Sequence, residues 1–207
     1  FLDAYDCIRR GWYPAVLRSL ALAARALPEP QPRELLQQLC AQVCAPSTAP
    51  SGLWEAFVTC HMCHLVLLQV QGGARPHLGQ LLAVRGLFSG SLLALNRLQV
   101  DHVRALSQVL FLTPHLPAFF LRHRLRSHVL EIRHLDRALL HLGPGQLSEE
   151  ELRAACYLRG LNSTHLGQAE CRAWLEQWLR LSCELQASEA SLLAHSMVLL
   201  SLNYSQP

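Results

Sequence analysis

Residues 143–182 constrain this chain more than any other stretch, because the signals that start and stop helices are packed there at fixed offsets. Ser148 followed by Glu151 fits a capping box, in which the hydroxyl accepts from the backbone of the third helical residue and the carboxylate reaches back to the cap. Leu147 and Leu152 stand where a hydrophobic staple would close the same turn. Leu152, Ala155 and Cys156 recur at helical spacing, and Gly160 supplies the residue that can take a positive φ and end the helix. A second helix is predicted from near Gly167, with Cys171, Trp174, Leu175 and Trp178 on one stripe. Two amphipathic helices joined by a short kink cannot cover each other's apolar stripes alone, so the rest of the chain must supply helical partners.

The remaining sequence has the composition to do so. Apolar residues make up 51% of the 207, and no alternating apolar and polar run persists beyond a few residues, so a sheet has no support. The chain reads as all-α, a single multi-helix domain of eight to ten helices. Helical segments are predicted at 2–10 and 14–27, separated by Gly11-Trp12-Tyr13, and then at 33–44, 53–70, 78–88, 95–112, 118–142 and 188–202. Pro28, Pro30 and Pro32 mark a firm break after the second of these, and the last is apolar nearly all round, which predicts burial. The richest apolar window, 78–95, is interrupted by Arg85, Gly86 and Gly90, so no membrane span is expected. Phe1 opens no signal peptide, and the chain reads as a segment whose own start lies upstream.

All eighteen basic residues are Arg, and the net charge of +3 is too mild to imply nucleic acid by itself. The eight cysteines mostly fall on helical stripes beside Leu and Phe, which suits reduced buried thiols better than a disulfide frame. Cys60-His61-Met62-Cys63-His64 matches the pattern of c-type haem attachment. Helical spacing, however, puts Cys60, Cys63 and His64 on one face with Leu53, Phe57 and Leu67, as core thiols and a half-buried histidine. A zinc site combining Cys60 and Cys63 or His64 with Cys40 and Cys44 is the other alternative, and the core reading outweighs it. Asn162-Ser163-Thr164 and Asn203-Tyr204-Ser205 match the glycosylation sequon, a pattern too short to change the cysteine reading. No metalloprotease, nucleophile-elbow, phosphate-loop or dinucleotide fingerprint occurs, and the carboxylates cluster at Glu149, Glu150 and Glu151, where a helix start already explains them. The chain is therefore read as a non-enzyme without catalytic, cofactor or metal residues.

The 118–142 segment carries the candidate site. Leu121, Leu125, Val129, Ile132, Leu135 and Leu139 form its predicted core stripe. Arg122, Arg126, Arg133 and Arg137 fall within an arc of roughly 60° beside it, with His123, His134 and His141 on the next arc. The plain account of these cations is a solvated face paired locally with Glu131 or Asp136. The functional account is a docking face for phosphate or an acidic partner, since Arg forks bind both.

From about residue 95 to its end the chain resembles the ribosome-binding-type domain of the LETM family, mitochondrial inner-membrane proteins. The resemblance rests on Leu147-Ser148, Glu151-Leu152, Ala155-Cys156, Arg159-Gly160-Leu161, Trp178-Leu179, Leu181-Ser182 and Ser191-Leu192-Leu193. Upstream, Phe120-Leu121-Arg122, Leu125, Ile132 and Asp136 fit the preceding long helix. The chain departs from the family where a proline usually precedes the Ser-Leu-Leu run, reading Ala187-Ser188-Glu189-Ala190 instead, and it has no EF-hand loop. The resemblance implies a 14-3-3-like helical domain over residues 1–207, with a divergent half at 1–94 and the family signature at 95–207. It implies a matrix-facing position at the inner membrane, held by an anchor outside this chain. Its partners there would be mitochondrial ribosomes or assembly factors, and its effects would fall on respiratory-chain biogenesis and ion balance. On this account Arg122, Arg126, Arg133, Arg137, His123 and His134 form the contact face, with no DNA partner expected. A second resemblance, of residues 147–178 to a helix–extended–helix SAP motif, implies a nucleic-acid-binding adaptor. Gln168 and Ala169 stand where such motifs carry basic residues, which weakens phosphate contact there.

Overall fold

The computed structural model describes residues 2–44, 76–90 and 92–202. Among these the regular structure is entirely helical: α1 (Leu2–Arg25), α2 (Pro30–Cys44), α3 (Leu78–Ala83), α4 (Arg85–Gly90), α5 (Val100–Val109), α6 (Ala118–Leu142), α7 (Glu149–Leu158), α8 (Gln168–Glu184) and α9 (Ala190–Leu199), with 3₁₀ turns at Pro144–Gln146 and Ala187–Glu189. None of these helices is long and apolar enough to cross a membrane. The segment 53–70, the Cys60 to His64 run and Asn203 lie outside the described residues.

One continuous buried cluster holds the helices together, and α9 is its axis. Every residue of α9 is buried, and it packs against α1, α4, α5 and α6. Around it, α1 lies along α5 and α2, and α8 lies along α6 and α7. Because α9 is surrounded, its polar side chains have to be satisfied internally. Ser191 donates to the Leu93 carbonyl, Ser196 to that of Leu192, and His195 meets His102 of α5 through their Nε2 atoms at 2.8 Å. His195 Nδ1 lies 2.6 Å from the Ser191 carbonyl, which can only accept. His195 Nε2 is then the acceptor for His102 Nε2–H, and both rings are held neutral by burial.

The grammar of 143–182 is realised atom by atom. Ser148 Oγ accepts from the Glu151 backbone while Glu151 Oε2 accepts from the Ser148 N–H at 2.9 Å. At the other end of α7, Leu161 N donates to Cys156 O and Gly160 N to Tyr157 O, with Gly160 at φ +105°. A Cβ at Gly160 would sit 2.7 Å from the Met197 carbonyl oxygen, so the helix end and α9 approach too closely for any other residue. The same pattern closes α5, where Phe111 takes φ +54°.

Three predicted boundaries are corrected. Segments 2–10 and 14–27 form one helix with Pro14 inside it. The buried positions Asp6, Arg9, Tyr13, Val16, Leu17, Leu20 and Ala24 keep helical spacing straight through, and packing of that stripe outweighs the proline's cost of about 3 kcal/mol. The 78–88 segment is broken at Val84 into two short helices. Only Val100–Val109 of the 95–112 segment is α-helical, because residues 92–98 turn to place Leu93 and Leu98 in the core.

Candidate functional site

Helix α6 runs over the predicted residues, Ala118–Leu142, and its two flanks differ. On the core side, Leu121, Leu125, Val129 and Ile132 are buried, as the spacing requires. Leu135, assigned to that stripe, is instead 53% exposed, and the buried position one residue on belongs to Asp136. Helical geometry explains the exchange. At about 100° per residue, Leu135 falls beyond the edge of the stripe defined by Leu125, Val129 and Ile132, whereas Asp136 falls inside it.

Asp136 is fully buried and is the acceptor for three side chains, one from the end of α7 and two from α8. Arg159, just past α7, donates from Nε at 2.6 Å; Trp178 of α8 donates from Nε1 at 3.0 Å; Ser182 of α8 donates its hydroxyl. Arg159 is itself buried and gives a second N–H to Ala155 O at 2.6 Å. This network orients α7 and α8 on the inner side of α6 and fixes which side of α6 faces outward. It also means that Asp136 is not a counter-ion for the cations outside.

A second buried cation ties the remote end of the fold. Arg9 of α1 is 3% exposed, donating to Val109 O and Tyr157 O, each at 3.1 Å, and its guanidinium lies over the Phe111 and Tyr157 rings. It thus places positive charge on carbonyls in the last turns of both α5 and α7. Asp6, paired with Arg10 at 2.6 Å, accepts from Asn162 Nδ2 at 3.2 Å. That engagement takes the sequon asparagine out of solvent.

The four arginines predicted as one row are divided by the fold. Arg126 and Arg137 are exposed and have no ion pair among the described residues, and His123 and His134 are exposed beside them. Arg122 is half-buried, with Nη2 donating to Leu98 O at 2.8 Å and a buried Nε that has no partner. Arg133 is buried, and its Nη2 donates to Leu185 O. The segment after α8 covers the Arg133 position, which the periodicity of α6 alone does not reveal. Arg9, Asp6 and the hub role of Asp136 were missed in the sequence reading, because their partners lie tens of residues away. Charged side chains on otherwise apolar stripes are the only local sign of them.

Cys7, Cys156, Cys171 and Cys183 are free thiols, and Cys40 is buried in the core. Burial pushes the Cys156 thiol up to about 12, with Cys171 nearby adding to it, so that sulfur is a packing atom and not a nucleophile. Among the described residues no group of three or more His, Cys, Asp or Glu side chains is placed to hold a metal ion.

Residues 56–199 match the family described as LETM1-like, RBD. The chain is 48% identical over 206 residues to LETM1 domain-containing protein 1 of Xenopus tropicalis, covering all of this chain and 51% of that protein. It is 40% identical over 204 residues to the Homo sapiens protein of that name, covering 99% of this chain and 49% of the relative. The Bos taurus protein is 45% identical over 150 residues, 72% of this chain and 41% of its own length. The chain thus spans about half the length of the curated relatives it matches over its whole extent. No solved structure matches it. With a family model covering more than half of its residues and relatives aligned end to end along it, the chain belongs to the LETM1-like, RBD family.

Proposed function

We propose that the chain is a non-enzymatic, matrix-side domain of a mitochondrial inner-membrane protein, and that it binds mitochondrial ribosomes or their assembly factors through the outer face of α6. The whole chain acts as one domain in this reading, supporting respiratory-chain biogenesis and ion balance from a membrane anchor outside it. The observation that carries the proposal is the pair of exposed arginines, Arg126 and Arg137, which have no ion pair among the described residues and are flanked by His123 and His134 on a helix held rigid from behind. Arginine forks without carboxylate partners bind phosphate oxygens and acidic side chains bidentately, at little cost in competing pairs. Arg122 and Arg133 belong to the same row but also bond Leu98 O and Leu185 O, so they anchor the face as well as charge it.

Co-sedimentation of the chain with mitochondrial ribosomes over a salt series tests this. Association should weaken steeply with salt, as phosphate contacts do. The double variant Arg126→Glu, Arg137→Glu leaves both backbone anchors in place and should abolish association with an unchanged circular dichroism spectrum. Undiminished co-sedimentation of that variant would overturn the assignment.

A further inference from the structure

A cleft of about 490 Å³ opens beside the first turns of α6, bounded by the end of α4, the 94–96 turn and the 187–190 turn. Among the described residues its polar lining comprises Arg122, His123, Arg126, Ser89, Asn96 and Ser188, and no carboxylate. The nearest acid in sequence, Glu189, is turned away: it accepts from the Gln186 N–H at 2.7 Å and faces Arg85 at 3.8 Å. Two guanidinium groups one helical turn apart therefore face a cavity whose neutral groups are hydroxyls, an amide and an imidazole.

Arg122 is a fixed cation in the wall of this cavity. Its Nη2 is pinned to Leu98 O, so the guanidinium cannot swing out to water, and its buried Nε has no partner. Arg126, unpaired among the described residues, supplies a second fork to the same space.

We infer that this cleft is a binding site for a phosphate monoester, with Arg122 and Arg126 as its cationic clamp and Asn96 and Ser188 as neutral donors. Two arginines match the charge of about −1.5 to −2 on a monoester, and donors on several sides suit a tetrahedral group better than a planar carboxylate. The volume exceeds that of one phosphate group and falls in the range of small-ligand pockets. Phe119, which lines the cleft, is 73% exposed, and its neighbour Phe120 is 57% exposed with the ring centroids 5.6 Å apart. Apolar surface at the mouth is suited to the organic part of the ligand, either a soluble phosphorylated molecule or the acyl region behind a lipid headgroup. The site shares Arg122, His123 and Arg126 with the ribosome-facing row but does not depend on ribosome binding.

Calorimetric titration of the purified chain with glycerol 3-phosphate tests the soluble source. Flotation with phosphatidylcholine vesicles, with and without phosphatidic acid, tests the lipid source. Saturable binding in either arm is expected, weakened at least about tenfold by Arg126→Gln and a few-fold by the charge-neutral Ser188→Ala. Arg137→Gln, outside the cleft, should leave it unchanged. Absence of saturable binding in both arms overturns the site, as does equal weakening by Arg126→Gln and Arg137→Gln, which would mean diffuse charge attraction. Phosphate binding without ribosome association would sink the ribosomal reading and leave this one standing, and the reverse result would do the opposite.

Discussion

Replacing Asp136 by Asn is the most informative single perturbation of this fold. The carboxylate is fully buried, its Oδ1 facing Arg159 Nε and its Oδ2 shared by Trp178 Nε1 and the Ser182 hydroxyl. An asparagine of the same shape keeps one acceptor oxygen. Whichever way the amide turns, its NH₂ then confronts either the arginine or the Trp178 N–H, donor against donor. More important, the Arg159 side chain, only 3% exposed, keeps its charge with no counter-ion. Breaking a buried pair from one side costs about 3–5 kcal/mol, because the remaining ion stays desolvated. With a urea m-value of about 2–3 kcal/mol/M for a chain of this size, the unfolding midpoint should fall by roughly 1–2 M. Urea titration followed by far-UV circular dichroism reads this directly. The paired substitution Asp136→Leu, Arg159→Met removes both charges and should recover most of the loss, since apolar residues of similar volume often replace a buried pair at little net cost. A midpoint shift in Asp136→Asn worth under about 1 kcal/mol would refute the reasoning, and so would a double variant as unstable as the single one.

Two further outcomes are expected. Burial pulls His195 down to about 4 from the ordinary value near 6.5, and lowers His102 well below that value through burial and the neighbouring ring. Both rings are then neutral in the folded chain while the unfolded chain takes up protons below about pH 6.5, so stability is full at neutral pH and declines on acidification toward 4. His195 alone should contribute about 3 kcal/mol to that decline; a urea midpoint that stays level between pH 7 and 5 would contradict it. Gly160→Ala places a methyl group 2.7 Å from the Met197 carbonyl oxygen at φ +105°, and left-handed strain with overpacking should cost roughly 2–4 kcal/mol. A thermal midpoint within a degree or two of the parent would show that α7 and α9 separate easily.

How much of this was legible from the chain depended on the range of the interaction. Ser148 with Glu151, Gly160, the start of α8 after Gly167 and the limits of α6 were all readable, because each is set by residues within one or two turns. The burial of α9 was readable for the same reason, since a helix apolar on every side has no face to give to water. Local rules misjudged Pro14, where they gave a break and the packing of Tyr13, Val16, Leu17 and Leu20 carried the helix through. They also could not say which arginines of α6 remain outside. Arg126 and Arg133 are two turns apart on the same arc, yet Arg133 is covered by the chain at Leu185 and Arg126 is not.

By itself, then, the sequence determined the helical class, the capped hairpin of 143–182 and the family, all of which follow from short-range spacing and ordered motifs. Only the tertiary structure decided that Asp136 faces inward to Arg159, that Arg9 bridges the ends of α5 and α7, and that Ser89, Asn96 and Ser188 gather around Arg122 and Arg126. The physical reason is the same in each case: a charged side chain takes its role from the dielectric and the partners around it, and those are supplied by residues far away along the chain.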